Sequence, residues 1–260
     1  MNVKISLAGD IGSGKSTISK LLSERLNARI YSTGNLTREM ARKKNMTVVD
    51  FNYYMDKNPE IDREIDQGLI DLSDIDEDII IDSRMAWHFV KNTFKVFLST
   101  DINISAKRIH NEKRDTESYS TVEETIERIK ARKNSEKLRY FTKYNVDCTD
   151  LTLYDFIIDT SVSSPDIICD YILRNYTVWK NNGGYAKCYM TYLRMSPLLS
   201  VNDVEVPVAL DLTDPVNYVS LLSDGDSFYI IHNHSVVIYC INNNVELIPC
   251  IIYRENPGNH

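Results

Sequence analysis

The sequence predicts an α/β protein, a mostly parallel sheet flanked by helices, with a small C-terminal α+β domain appended. Three observations predict it. Short apolar runs at Val3–Ala8, Ile79–Ile81, Val96–Leu98 and Phe156–Ile158 are bounded by polar residues and separated by stretches of helical periodicity, the alternation that places parallel strands between two layers of helix. The first run leads through a glycine-rich turn into Ile18, Leu21, Leu22 and Leu26, which share one helical face. Beyond Tyr176 the composition changes: Asn181-Asn182-Gly183-Gly184 reads as a linker and basic residues become scarce. This divides the chain into residues 1–176 and 185–260.

Along the first part, a helical insert runs from about Leu36 to Leu72, with Ile61, Ile65 and Leu69 repeating every four residues. A charged region follows at 105–145, where Thr121-Val122-Glu123-Glu124 forms a capping box that opens a helix. The tail reads as strands at Val206–Leu210 and Ser227–Ile231, a helix over Ser235–Ile241 and a last strand at Leu247–Tyr253.

Composition narrows the function. The chain has 260 residues, 43% apolar and 26% charged, in the range of ordinary soluble globular proteins. A net charge of −7 argues against broad nucleic-acid binding, which draws its affinity from Lys and Arg neutralising phosphates. Five cysteines without a C-x-x-C pair suggest neither a disulfide framework nor a zinc site. There is no apolar run of membrane-spanning length and no signal-peptide pattern at the amino terminus. A cytoplasmic protein without a membrane partner is expected.

Gly9-Asp10-Ile11-Gly12-Ser13-Gly14-Lys15-Ser16 matches G-x-x-x-x-G-K-[ST] in full, and it follows a strand and precedes a helix as the mechanism requires. In such a P-loop the glycines let the backbone wrap a phosphate so that successive N–H groups and the positive end of the helix face the anion. Gly9, Asp10, Gly12, Ser13, Gly14, Lys15, Ser16 and Thr17 are the expected nucleotide-binding residues. Lys15 would reach the β and γ phosphates of ATP and Ser16 would ligate Mg²⁺. Asp82 closes the Ile79–Ile81 run, where a second acidic group could hold Mg²⁺ through water or orient an acceptor; a strand-end turn is the plainer role for it.

Phosphoryl transfer leaves a protein chiefly positioning and charge neutralisation to perform, so cations should surround the two phosphate groups. Arg38 and Arg63 lie in the insert, Arg84 follows Asp82, and Arg108, Arg114, Arg128, Arg132 and Arg139 lie in the charged region. Solvated helix faces account for most surface arginines taken singly.

Taken together these stretches resemble the cytidylate kinases, in particular their short archaeal-type form, from Val3 to about Tyr171. The resemblance is carried by Tyr31-Ser32-Thr33-Gly34 with Arg38, Met46–Phe51, Asn58–Asp66, Asp82-Ser83-Arg84, Arg108, Arg139-Tyr140 with Tyr144 and Asp147, and Tyr154–Thr160. It implies a P-loop nucleoside monophosphate kinase fold with a monophosphate-binding insert at 34–72 and a lid at 110–140. It also implies that Ser32, Gly34, Arg38, Asp62, Arg63 and Arg84 line the acceptor site, and that Arg132 with Glu136 contacts the acceptor's phosphate or base. Arg114, Arg128 and Arg139 would bring lid charge to the transferring group. Ser83 stands where that family usually has glycine; a side chain there could crowd the acceptor phosphate or alter base preference.

Within the tail, Asp224–Cys240 and Leu247–Ile252 resemble the strand–loop–helix–strand core of the ParB-like and sulfiredoxin superfamily. Asn233-His234-Ser235 replaces that family's Gly-His-Arg, so the arginine suited to phosphate is missing. A regulatory or interaction module with a protein partner or ligand is expected there, and His232 and His234 read as polar loop residues. The combined reading is Mg²⁺-dependent transfer of the γ-phosphoryl of ATP to CMP or dCMP. The alternatives are a P-loop kinase for another nucleotide or small metabolite, and a nucleotide-sensing protein that uses its tail for partner binding.

Overall fold

The computed structural model describes residues 2–111, 121–182, 187–195, 205–224 and 227–253. The chain forms two compact units, Met1–Gly9 with Lys15–Val96, and Asp10–Gly14 with Phe97–His260.

The first unit contains β1 (Lys4–Gly9), α1 (Lys15–Leu26), β2 (Arg29–Ser32), α2 (Thr33–Lys43), α3 (Val48–Lys57), α4 (Pro59–Asp71), β3 (Ile79–Asp82) and α5 (Ala86–Phe89). Its strands lie in the order β2-β3-β1, paired parallel, with Ser32 and Leu7 both in register with Asp82. Ile5, Leu7 and Ile79 to Ile81 are fully buried, which explains why β3 reads as an unbroken apolar run and not as an alternating one. The four-residue β2 escaped the sequence reading, because Arg-Ile-Tyr-Ser offers one aliphatic residue and no periodicity.

The insert is three helices sealed around Ala41, Phe51, Met55 and Ile65, with Leu36, Met40 and Ile61 packed against them. Their starts are chemically marked. Ser32 Oγ accepts from the Asn35 amide, Thr47 Oγ1 accepts from the Asp50 amide, and Pro59 occupies the first turn of α4.

β4 (Phe94–Ser99) carries the chain into the second unit, which contains α6 (Ile102–Asn111), α7 (Val122–Tyr144), β5 (Phe156–Asp159), α8 (Pro165–Asn182), β6 (Lys187–Met190), β7 (Val219–Asp224), β8 (Ser227–His232), α9 (His234–Asn242) and β9 (Ile248–Tyr253). As the capping box predicts, Thr121 Oγ1 accepts from the Glu124 amide, at 3.1 Å. Strand order is β5-β6-β9-β7-β8; β6 joins β5 in parallel, and β9 joins β6 antiparallel.

The tail is therefore built onto the same sheet as β5. At Tyr176, where composition places a boundary, α8 continues without a break to Asn182. The junction has a physical cause in Asp159, which is fully buried at the end of β5. One carboxylate oxygen accepts from the amide and hydroxyl of Ser161, and the other from the amide (3.1 Å) and hydroxyl (2.6 Å) of Thr191, just past β6. A buried carboxylate is tolerable when donors satisfy both oxygens, and half of these come from the tail.

One tail assignment changes. Val206–Leu210 is not a strand: Pro207 cannot donate to a ladder and Val208 is fully exposed. The strands not expected from the sequence are β6 and β7, on either side of that stretch. The β8–α9–β9 succession follows the sequence reading to within two residues.

Every described non-glycine residue with positive φ is asparagine: Asn27, Asn45, Asn92, Asn145, Asn233 and Asn244. In a chain with nine glycines, asparagine takes over left-handed corners. Asn233 (φ 63°) occupies the position of the missing glycine ahead of α9, and its amide donates to the carbonyls of Val216 and Tyr218. No disulfide joins the five cysteines; Cys148 is half-buried and the other four are buried. Burial pushes the thiols of Cys188 and Cys250 far above the ordinary range, so both stay protonated. No described helix is long and apolar enough to cross a membrane.

Candidate active site

The glycine-rich motif folds as the turn between β1 and α1, and its glycines answer different needs. Gly12 and Gly14 both have φ of 79°, which L side chains rarely adopt. At Gly12 space is short as well: a Cβ would lie 3.1 Å from the Cα, Cβ and carbonyl oxygen of Ser105 on α6, whereas at Gly14 it would meet nothing within 4 Å.

Residues Asp10–Gly14 of the loop belong to the second unit and are held within it. The Asp10 amide donates to the Leu98 carbonyl at 2.9 Å, and the Asp10 carboxylate accepts from the Thr100 amide at 2.9 Å and pairs with Lys133 at 3.4 Å. Ile11 packs on the apolar seam of α6 and α7 formed by Ala106, Ile109 and Ile129. Arg108 donates to the carbonyls of Gly12 (3.3 Å), Thr160 (2.6 Å) and Ser161 (3.3 Å). Thr160 Oγ1 lies 3.1 Å from the Ser13 carbonyl and 2.6 Å from Thr100 Oγ1. In a trans peptide the N–H points opposite the C=O, so holding the Ser13 carbonyl aims the Gly14 N–H away from Thr160. Lys15 folds back so that Nζ donates to the Gly9 carbonyl at 3.1 Å, and Ser16 and Thr17 are exposed on the first turn of α1.

Within the first unit, a second set of groups converges on Asp82 at the carboxyl end of β3, the end of a parallel sheet where ligands bind. Burial raises the pKa of its carboxyl above the ordinary aspartate value, while Lys15, Arg84 and Arg38 pull it down and a hydrogen bond from Ser32 favours the charged form. Gly34 belongs to the same group, since a Cβ there would lie 3.6 Å from the Arg38 guanidinium and 3.8 Å from Ser32 Oγ. Ser83 does not crowd it: its side chain is 4% exposed and its hydroxyl accepts from the Met85 amide at 3.3 Å. Asp62 and Arg63 lie on the first turns of α4, half-buried and exposed respectively.

The remaining predicted cations line α7. Arg132 pairs with Glu136 one turn on, at 3.1 Å, Arg128 lies 3.9 Å from Glu124, and Arg139 sits over the Tyr140 ring at 5.7 Å. Arg114 lies outside the described residues. Sequence reasoning overlooked Thr100, Thr160 and Lys133 as loop supports. A strand-end threonine carries no local signal, and Lys133 is one cation among many on a charged helix. Asp10, expected at the nucleotide through the loop backbone, has its side chain committed to Thr100 and Lys133. His232 ends β8 and His234 opens α9, so the two expected loop histidines sit at the ends of regular elements; no three described His, Cys, Asp or Glu residues cluster as metal ligands.

Comparison with known proteins agrees with this geometry. A family model described as the cytidylate kinase-like family matches residues 4–162. A cytidylate kinase of Archaeoglobus fulgidus is 33% identical over 179 residues, spanning 68% of this chain and 97% of that protein. One from Pyrococcus furiosus is 35% identical over 163 residues, 62% of this chain and 82% of the other. An S-adenosylmethionine-dependent nucleotide dehydratase of Lacinutrix mariniflava is 34% identical over 177 residues, which are 68% of this chain and 36% of that protein.

Proposed function

We propose, for a chain that belongs to the cytidylate kinase-like family of nucleoside monophosphate kinases, that it transfers the γ-phosphoryl of ATP to CMP or dCMP. The observation that carries this reading is the convergence of Lys15, Arg38 and Arg84 on the half-buried carboxylate of Asp82, beside Ser32. Cations gathered around one strand end suit a site that must bring two anionic groups together.

In this assignment the amides of the loop from Gly9 to Ser16, with Thr17 beyond it, hold the triphosphate, and the Lys15 ammonium neutralises its β and γ oxygens. Ser16 and Asp82 are oxygen donors of the kind Mg²⁺ prefers, and the charge-favouring contacts around Asp82 fit it for that role. Bound magnesium supplies charge neutralisation between the phosphates. Ser32, Gly34, Arg38, Asp62, Arg63 and Arg84 receive the monophosphate, with Arg132 and Glu136 at its phosphate or base. Arg114, Arg128 and Arg139 add positive charge to the transferring group. An acceptor phosphate oxygen forms the new bond to phosphorus as the β–γ bridging bond breaks, and ADP departs.

A nucleotide acceptor is favoured over a small metabolite by two supports. The relatives that share most of this chain's length are cytidylate kinases, and the domain shared with the dehydratase belongs to an enzyme whose name also specifies a nucleotide. The test measures ADP release with CMP, dCMP, UMP, AMP and non-nucleotide acids. The expected result is turnover stimulated most by CMP or dCMP, and an absence of stimulation by either would overturn the assignment.

A further inference from the structure

We infer that Arg194, which lies beyond the family-matched region, is a positioning residue for the phosphate-binding loop. It ends the short 3-10 turn Tyr192–Arg194 that follows β6. Its guanidinium crosses to the end of β4, donating from Nη1 to the Thr100 carbonyl at 2.6 Å and from Nη2 to Ser99 Oγ at 3.0 Å. The Phe228 ring of β8 supports the other side, with Cζ 5.4 Å from its centroid.

Thr100 is the residue through which this contact reaches the loop. Its amide donates to the Asp10 carboxylate at 2.9 Å, and its hydroxyl pairs at 2.6 Å with that of Thr160, which in turn lies 3.1 Å from the Ser13 carbonyl. One arginine of the tail is thus two hydrogen bonds from Asp10 and three from Ser13, two separate points of the loop.

Stability alone is a poor explanation of this arrangement. The buried Nε of Arg194 has no partner among the described residues, so the desolvation of the guanidinium is not fully compensated. The tail is already fastened by the Asp159 carboxylate and by the β5–β6 pairing. What Arg194 adds is a fixed location for Thr100, and with it the orientation of the loop carbonyls and amides. Loops that bind phosphate work by preorganised N–H groups, so a small displacement is read as lost affinity.

The inference rests on the reading that the loop binds a nucleoside triphosphate, and the test separates the two. Full-length wild type, Arg194→Ala and Arg194→Lys are titrated calorimetrically with MgATP in the absence of acceptor, well below each variant's melting temperature. KM for ATP and for the acceptor is then measured. Wild type should bind; absence of binding heat would overturn the triphosphate reading itself. Arg194→Ala should raise Kd and KM for ATP about tenfold, the range of coupling through a packed network. KM for the acceptor should stay unchanged, a split that a mere loss of folded protein does not produce. Arg194→Lys, which keeps the charge but not the two-pronged contact, should fall between. Unchanged ATP affinity in Arg194→Ala overturns the inference whatever its melting temperature. Should Arg194→Ala not fold, the lysine variant decides by the same titration: weakened binding supports the role and unchanged binding refutes it.

Discussion

Replacing Gly12 with alanine separates two costs that the glycines of the loop share unequally. At φ of 79° an L side chain costs about 1–2 kcal/mol, and both Gly12 and Gly14 are in that conformation. Only at Gly12 does the new methyl also meet α6, at 3.1 Å from the Cα, Cβ and carbonyl oxygen of Ser105. Two of those three atoms are helix backbone and cannot rotate away, so the overpacking adds about 1–3 kcal/mol. Gly12→Ala should therefore lose about 2–5 kcal/mol and Gly14→Ala about 1–2 kcal/mol. Urea unfolding followed by circular dichroism measures this directly, with the two variants compared under one set of conditions. Relief of the clash also displaces the peptide whose carbonyl Arg108 holds, so Gly12→Ala should bind MgATP more weakly than Gly14→Ala does. Equal midpoints for the two variants would refute the packing argument and leave conformational cost as the whole effect.

Lys15→Ala should lower turnover by about 10³-fold with little change in melting temperature, because the ammonium acts on phosphate charge and lies outside the apolar core; turnover near wild type would count against the mechanism. Asp82 has its pKa raised in the folded state, chiefly by burial. The stability linked to its proton is therefore present below its unfolded pKa and lost as pH rises through the folded value. Asp82→Asn should consequently be at least as stable as wild type at neutral pH while losing activity. Equilibrium unfolding at neutral pH checks this, and an Asp82→Asn variant clearly less stable than wild type would refute it. Asp159→Ala strands the buried donors of Ser161 and Thr191, and should cost about 3 kcal/mol in denaturant unfolding; a loss under about 1 kcal/mol would show that the tail is fastened elsewhere.

The phosphate loop and the parallel core were legible because their signals are local. Glycines at fixed offsets force one backbone path, and an aliphatic run without alternation marks a strand buried on both faces. The proposed acceptor residues were legible only through resemblance: nothing in the spacing of Ser32, Arg38, Asp82 and Arg84 announces that β2 and β3 run side by side. Sheet register creates that meeting, by placing Ser32 opposite Asp82. The tail was harder still. The appended module was read as a separate body because basic residues thin out after Tyr176, yet composition is blind to a single buried carboxylate. Asp159 looked like the end of a strand, and its partner Thr191 is 32 residues away. Thr100, Thr160 and Arg194 share this invisibility, since each acts by a long-range contact that no periodicity encodes.

The burial of Cys169, Cys188, Cys240 and Cys250 has an experimental use. Thiolate is the form that attacks maleimides and iodoacetamides; burial keeps the reagent from those four sulfurs, and it also raises the thiol pKa of Cys188, Cys240 and Cys250. Cys148 is half-buried and lies four residues past the end of α7, at Tyr144. Native protein treated briefly with a thiol-directed fluorophore should therefore take up dye at one location without any engineered background. Its emission then offers a readout of how the end of that charged helix responds when nucleotides are added.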